Sequence, residues 1–531
     1  MRSFFPETAF AKRLYTVVMW LIMLCWGVVL LWLSADSLRM TCEVVGKIDE
    51  KVLFYSDSVW KHIVVLLALL AVGVVSYRYR QRILYFASSK KIAVALMLVW
   101  IGYTFYILST QVYPTADQKR CFAAATSLLA GDYSPWEKGG YAYIYPNQNG
   151  LILFLALLQK IFGVGNYLVV QFLNILAAIL AVYYLAKLCK ETMLLENTNL
   201  IMLLLSLYMP MMLYITFNYG TLLGLACALS SMYYQSVFLS RKKWYILVLA
   251  VVLMACAVQF KSNYLIFVIA SAIIYLYYAV SNKSWKNVVA FVMLIAVCLG
   301  MSHTVSTVIE HRTGLKLEKG MPTISWVLIG LEESHRAPGW YSSVSMKILE
   351  THDYDTEKTT EEVSENLKER VHYFLENPQY TAEFFEKKVL SMWNEPTFQS
   401  LWIQQVKNHP YEYPAAISSL LSEKGRLNRW YTGIFDYVQT WVYLFCLLYI
   451  VFRFKKVPVC QLLPAIVMMG GFLFHLVWEG KSQYTVVYFF LLIPYAVKGF
   501  YLTVSFLSQK LSGKTYRNLK EKWVCLKSKS N

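Results

Sequence analysis

Charge is what this chain has least of. Only 15% of its 531 residues are Asp, Glu, Lys or Arg, against about 25% in a soluble globular domain, which excludes an ordinary soluble enzyme. No Walker A motif, Rossmann glycine pattern, CxxC pair or Cys/His metal spacing is present, so ATP-driven export, nucleotide-sugar binding on a Rossmann domain and a zinc motif are all excluded. No internal repeat, low-complexity segment or flexible linker stands out, and the chain reads as one polytopic domain. From the third to the ninth apolar run no Asp, Glu, Lys or Arg lies well inside a run. An ion-coupled transporter needs such groups within its spans, and this argues against one.

What the chain has instead is apolar sequence: 57% of residues are hydrophobic and 16% aromatic. Thirteen runs predict membrane spans at 13–35, 59–77, 91–110, 148–163, 166–186, 199–218, 219–239, 244–260, 262–280, 286–309, 433–453, 457–477 and 483–507. The first follows Lys12 and Arg13, is longer than a signal-peptide core and lacks a small-x-small cleavage site, so it is read as an uncleaved helix. The net charge of +18 is concentrated in short segments: Arg78 to Lys91, Arg241 to Lys243, Lys283 with Lys286, and Arg453 to Lys456. These read as cytoplasmic loops. A tail 508–531 carries Lys510, Lys514, Arg517, Lys520, Lys522, Lys527 and Lys529 against Glu521, which places the C-terminus inside as well, beside anionic lipid. Nucleic acid is not an expected partner.

Topology is then a parity problem. With the N-terminus inside, three crossings bring the chain outside at Gln111, and counting back from the tail places Tyr219 outside too. Three apolar runs lie between, so one is broken, re-entrant or interfacial. Pro210, which removes a helix hydrogen bond, is the expected interruption. The organisation expected is an N-terminal helix pair within 1–90, a transmembrane module 91–309 with an external loop at 111–147, a larger external loop at 310–432, terminal helices at 433–507, and the tail. The large loop holds 14 bases and 18 acids, which suits an exported segment. Within it, helices are predicted from Thr360 to Phe374 and from Thr381 to Trp393. The second sets Phe384, Phe385, Lys388 and Met392 at helical spacing, as in an amphipathic helix on the bilayer surface. Trp340 and Trp393 read as interface anchors. Cys42 and Cys121 both fall on the outer side, where a disulfide between them is one option; the remaining cysteines read mostly as small buried hydrophobes.

Ionisable residues gather at the outer ends of the spans: Asp117, Lys261, Asp436, His475, Glu479 and Lys481. This predicts a site at the outer membrane surface. Three stretches carry it: Tyr113 to Arg120 with Asp117, Lys119 and Arg120; Gly131-Asp132-Tyr133 followed by Tyr145-Pro146-Asn147-Gln148-Asn149-Gly150; and His475 to Tyr484, a polar hinge holding Glu479 and Lys481. An acidic residue soon after a span, a Gly-Asp-Tyr turn, the Tyr-Pro-Asn-Gln-x-Gly start of the next helix and a Glu-x-Lys-x-x-Tyr hinge together resemble GT-C superfamily membrane glycosyltransferases, in particular bacterial relatives of the protein O-mannosyltransferases. The resemblance covers most of 91–507, with the first two spans as an N-terminal addition. It implies an all-α polytopic GT-C-like fold with about 12 to 14 transmembrane helices and two external loop regions.

That resemblance also implies an activity: transfer of a sugar from a polyprenyl-phosphate donor to a glycan, polymer or protein acceptor of the cell envelope, at the outer face of a bacterial cytoplasmic membrane. A base positioned to take the acceptor hydroxyl's proton is needed as the anomeric bond to phosphate breaks, and Asp117 is assigned that role. A carboxylate in the first turn also serves simply as a helix cap, and Gly-Asp-Tyr is equally an ordinary turn. Positive charge should meet the leaving phosphate, for which Lys261 is the candidate, with Lys119 and Arg120 beside Asp117. A lysine there also snorkels to the headgroups. Asp132, His475, Glu479, Lys481 and Tyr484 complete the expected substrate-binding set. No cofactor is identified. With no paired acidic motif beside Asp117, a divalent metal is compatible with the chain but supported by no motif. Two other classes share this organisation. A polymerase or ligase of lipid-linked glycans would depend on external arginines such as Arg312, Arg336 and Arg370, and a translocator would need a polar lining that the spans lack. A non-enzymatic membrane scaffold is the remaining alternative.

Overall fold

The computed structural model describes residues 4–6, 8–46, 49–404 and 413–511. Of the basic tail, Lys514, Arg517, Lys520, Lys522, Lys527 and Lys529 lie outside these residues. The path begins with α1 (Ala9–Ser37), a hairpin of β1 (Met40–Val45) and β2 (Lys51–Ser56), α2 (Val59–Arg78), α3 (Arg80–Ser88) and α4 (Lys90–Thr110). It continues through α5 (Ala116–Ala130), α6 (Tyr141–Ile144), α7 (Asn149–Phe162), α8 (Leu168–Glu191), α9 (Thr198–Ser206) and α10 (Met209–Met212). Then come α11 (Thr221–Arg241), α12 (Trp244–Phe260), α13 (Leu265–Ser281) and α14 (Trp285–Thr313). A mostly helical insertion follows: α15 (Ile324–Leu331), α16 (Val344–Thr351), α17 (Thr356–Glu376), α18 (Pro378–Trp393) and α19 (Ala415–Leu421). The last elements are α20 (Arg426–Arg453), α21 (Leu463–Val477), α22 (Ser482–Phe490) and α23 (Ile493–Leu511). The chain is an all-α polytopic membrane protein, with one hairpin among the described residues.

Nine described helices are long and apolar enough to span a bilayer, and two further pairs do so as bent units, α9 with 209–216 and α22 with α23. With the shorter apolar α12, these are twelve elements running between two ends of the bundle. At one end the basic turns gather, where Tyr15 donates to the Val457 carbonyl (2.9 Å) and Asn199 to that of Ala87 (3.3 Å). In a bilayer core, packing and interhelical hydrogen bonds replace hydrophobic burial as the force between helices, each bond worth roughly 0.6–2 kcal/mol. Ser231 of α11 donates to the Ala250 carbonyl of α12 (2.7 Å), and Gln235 to that of Ser271 in α13 (2.8 Å). Small residues Ala177, Ala178 and Ala181 of α8 and Ala228 of α11 are fully or almost fully buried in the central core, which lets these backbones approach closely.

The parity argument holds, but through a different element from the one expected. The proline-bearing unit is bent by 69°, yet it still joins the two ends: Asn199 bonds Ala87 at the basic end and the Asn218 amide donates to Gln118 (2.7 Å) at the other. The segment that fails to cross is α7. At its start Trp136 donates to Asn149 (3.0 Å), and near its end Gln159 donates to the Phe122 carbonyl (3.2 Å) and accepts from Thr126 (2.8 Å), so the helix lies along α5. Gly163 (φ 97°) and Gly165 (φ 78°) then turn the chain, a conformation that side chains with a Cβ disfavour. Tyr167 at once reaches the Gln111 carbonyl (3.0 Å), on the same end from which α7 set out.

Several loop expectations are corrected. Helix α17 starts at Thr356 rather than at Thr360, because the Asp355 side chain accepts from the Glu357 and Lys358 amides, an N-cap stronger than threonine's. The C-terminal half of α18, including Lys388, Val389, Met392 and Trp393, is buried, so it packs into the protein rather than lying on the bilayer. Trp340 and Trp393 are both fully buried. The Trp340 indole donates to Ser391 (2.9 Å) and Trp393 packs on Phe472 and Tyr488, which removes both as interface anchors. Cys42 and Cys121 are separate buried thiols, the first against Trp340 and Leu390 and the second in a cluster with α7. The hairpin is integral to the molecule: the Cys42 amide donates to the Asn394 carbonyl and the Val52 amide to that of Arg336, both at 3.0 Å.

Candidate active site

The tight connections at the non-basic end converge with the hairpin. Asp117 lies in the first turn of α5 and is exposed, where the helix N-terminus favours a carboxylate. Its approach is fixed by Gln171 of α8, which donates to the Val112 carbonyl (2.7 Å). Lys261 closes α12 with an extended backbone, and its ammonium donates to the Thr221 hydroxyl (3.1 Å) at the start of α11. It faces three rings, Tyr219 at 5.4 Å, Tyr484 at 5.6 Å and Phe217 at 5.9 Å, a geometry in which π faces stabilise a cation. Burial holds the Lys261 amine down at about 8, against the opposing pull of the Asp117 charge. Thr221, Lys261, Asn263, Gln483 and Tyr484 line one small cavity.

The hinge between α21 and α22 supplies the opposite wall. The Glu479 amide donates to the Trp326 carbonyl (3.0 Å), and its carboxylate accepts from Tyr484 (3.3 Å). That carboxyl is 6% exposed. Burial pushes it up to about 7; Lys481 opposes the rise, while Glu50 and Asp117 add to it. His475 contacts the Glu479 carbonyl through Nδ1 (3.1 Å); a carbonyl only accepts, so Nδ1 carries the hydrogen. Its ring stacks on Tyr484 with centroids 5.7 Å apart, which orients the phenol. Lys481 is ion-paired with Glu50, and Glu50 also accepts from Arg336 (2.8 Å) and Gln399 (3.0 Å).

Of the expected residues, Asp117, Lys261, Glu479 and Tyr484 share one electrostatic neighbourhood, in which the Asp117 charge acts on the other three. His475 and Lys481 border it. Arg120 stands over the Tyr141 ring at 5.7 Å, at the mouth. Asp132 is not part of it: its carboxylate closes a turn, accepting from Ser127 (2.8 Å) and the Ser134 amide (3.1 Å), bonds that hold it below the ordinary carboxylate range. It stands past the far end of α5, about 20 Å from Asp117 at helical rise. Lys119 is exposed on α5, and among the described contacts none ties it to the cluster.

Sequence reasoning missed Glu50, whose only signal was an acidic pair in the short polar stretch between the first two spans. It also missed the cage ring Tyr219, set just before a span where an aromatic residue is ordinary. Lys388 was read as part of an amphipathic helix on the bilayer surface, yet it donates to the Gly330, Leu476 and Trp478 carbonyls. These are the ends of α15 and α21, so it caps both; burial lowers its amine to about 7. Among the described residues, the His/Asp cluster whose ligand atoms converge as a metal site would require lies elsewhere, at Asp57, His62 and Asp436.

A multi-pass helical membrane protein with a polar, aromatic-lined site at one end of its bundle is thus defined. The family model of the dolichyl-phosphate-mannose-protein mannosyltransferases matches residues 150–306. That stretch runs from α7 through most of α14 and holds Lys261, but neither Asp117 nor the hinge at 475–484. No curated protein and no solved structure matches the chain. Fold and family match together support a membrane glycosyltransferase of GT-C type.

Proposed function

We propose that the chain transfers a sugar from a polyprenyl-phosphate donor to a hydroxyl of a cell-envelope acceptor, at the outer face of a bacterial cytoplasmic membrane. The observation that carries this reading is the placing of an exposed carboxylate, Asp117, opposite a caged cation, Lys261, at one end of the bundle. The Asp117 carboxylate takes the proton of the acceptor hydroxyl as its oxygen attacks the anomeric carbon. The bond from that carbon to the phosphate oxygen breaks, and the electron pair leaves with the polyprenyl phosphate. Lys261, with Arg120 at the mouth, meets the charge that develops there. The aromatic rings present flat apolar faces to the sugar, and Glu479 and Tyr484 offer hydrogen bonds to its hydroxyls. The basic turns at the other end set the orientation, with both termini cytoplasmic.

The polymerase reading fits less well, because two of its three arginines are occupied. Arg336 pairs with Asp49 and Glu50, and Arg370 donates to the Leu331 carbonyl and lies over Phe374 at 4.4 Å. The test is transfer in liposomes, with a panel of labelled polyprenyl-phosphate sugars and an envelope extract. Wild type should transfer one donor, and Asp117→Asn should lose about 10²–10⁴-fold in rate while keeping its thermal stability. Full activity in folded Asp117→Asn would remove the base assignment.

A further inference from the structure

Away from the glycosyl-transfer site, three potential ligand residues from separate elements meet. Asp57 follows β2, His62 is the fourth residue of α2, and Asp436 lies in α20. One ligand atom from each lies within 4.8 Å of the other two. His62 Nε2 is 3.5 Å from the Asp436 carboxylate, close to the roughly 3.4 Å between neighbouring ligands of a tetrahedral ion with bonds of about 2.0–2.2 Å. The His62 side chain is 3% exposed. The Asp57 Oδ2 is buried without a hydrogen-bond partner, although a buried polar atom left unpaired costs about 1–3 kcal/mol. The Tyr437 ring closes over the imidazole at 4.9 Å. Two carboxylates gather beside this imidazole, and the Lys61 ammonium acts on Asp57 from an exposed position.

We infer that Asp57, His62 and Asp436 bind a divalent first-row transition ion. The donor set, one imidazole nitrogen and two carboxylate oxygens, suits Zn²⁺ or Mn²⁺, and a doubly charged ion neutralises both carboxylates. Three protein ligands leave one position for water in a tetrahedral site. The ion fixes the exit of β2 and the start of α2 against α20. It therefore anchors one end of the strand whose other end, about 20 Å away along six extended residues, follows directly on Glu50. Its role is structural, and it holds whether or not the chain uses Asp117 as a base.

The experiment uses the full chain in detergent, stripped with a chelator and re-equilibrated with Zn²⁺ or with Mn²⁺ alone, with bound metal measured by mass spectrometry. One ion per chain is expected, with a higher unfolding temperature for the loaded protein. Asp57→Asn and His62→Gln should each lose the ion and the thermal shift, while Asp132→Asn keeps both. Should the ligand variants fold poorly, Co²⁺ loading of wild type decides the point: intense visible bands of a tetrahedral nitrogen- and oxygen-ligated ion support the site. Absence of bound Zn²⁺, Mn²⁺ and Co²⁺ in wild type, or undiminished binding in the folded double variant Asp57→Asn/His62→Gln, overturns it and leaves a His62–Asp436 ion pair only.

Discussion

Glu50 and Lys481 form an ion pair that joins the hairpin between the first two membrane helices to the hinge between α21 and α22, with side chains 2% and 13% exposed. Arg336 of the large loop binds the same carboxylate. One buried anion therefore holds two cations from distant parts of the chain, and the position of the hinge that bears Glu479 and Tyr484 depends on it.

Removing that anion leaves Lys481 and Arg336 facing one another. Breaking a buried pair from one side typically costs about 3–5 kcal/mol, so Glu50→Gln should lower thermal stability markedly, and transfer activity with it. Glu50→Gln combined with Lys481→Met should recover part of the stability, because the uncompensated charge is gone. A double variant no more stable than Glu50→Gln would show that the pair does not act as a unit.

Glu479 gives stability a defined pH dependence. Its carboxyl is raised from 4.5 to about 7 in the folded protein, so between these values the folded state binds more protons than the unfolded one. The stability this group contributes is complete below about pH 4.5 and is lost as pH rises through 7, on the order of 3 kcal/mol for a shift of this size. Glu479→Gln should therefore leave stability near pH 5 almost unchanged and raise it near pH 8. Unfolding temperatures of both proteins across that range check the sign.

Lys261 is assigned to the leaving phosphate through charge, with its cage holding the ammonium in place. Lys261→Met should reduce transfer by about 10²-fold or more, the usual cost of losing one electrostatic donor at a developing anion. Lys261→Arg should retain an intermediate rate. Equal activity in the Met and Arg variants, measured at saturating donor, would assign the residue to packing alone.

Gly339 is a position where a single methyl group is costly. Its φ is 72°, and a Cβ there would lie 2.6 Å from the Gly330 carbonyl oxygen and from Lys388 Cε. Its own carbonyl accepts from the Gly480 amide (2.8 Å). Gly339→Ala should destabilise by about 1–3 kcal/mol and displace the hinge, lowering both unfolding temperature and transfer. Gly433 has nothing within 4 Å of a built Cβ, and Gly433→Ala serves as the neutral control.

Much of the candidate site could be read along the chain because its residues flank membrane spans. Asp117, Lys261, Glu479 and Tyr484 stand out as polar groups at the ends of apolar runs, where placing them costs enough that chance alone is a poor explanation. Asp132 misled because a Gly-Asp-Tyr turn has the same residues whether it binds a ligand or only closes a helix, and the difference lies in what surrounds it. Lys388 misled in the opposite direction: helical spacing places it on an apolar face but does not show that three carbonyls wait there to accept its hydrogen bonds.

The sequence by itself determined that this is a polytopic helical membrane protein, which end of its bundle is basic and where polar chemistry collects. Hydrophobic run length and charge position act locally and are read directly along the chain. Only the tertiary structure decided which apolar run fails to cross, that Trp340 and Trp393 are core residues, and that a carboxylate from the N-terminal hairpin reaches the hinge at Lys481. Those outcomes depend on which surfaces meet. An apolar helix carries the same hydrophobicity whether it faces lipid or protein, and an acidic residue in a short loop carries no mark of the cation it will pair with.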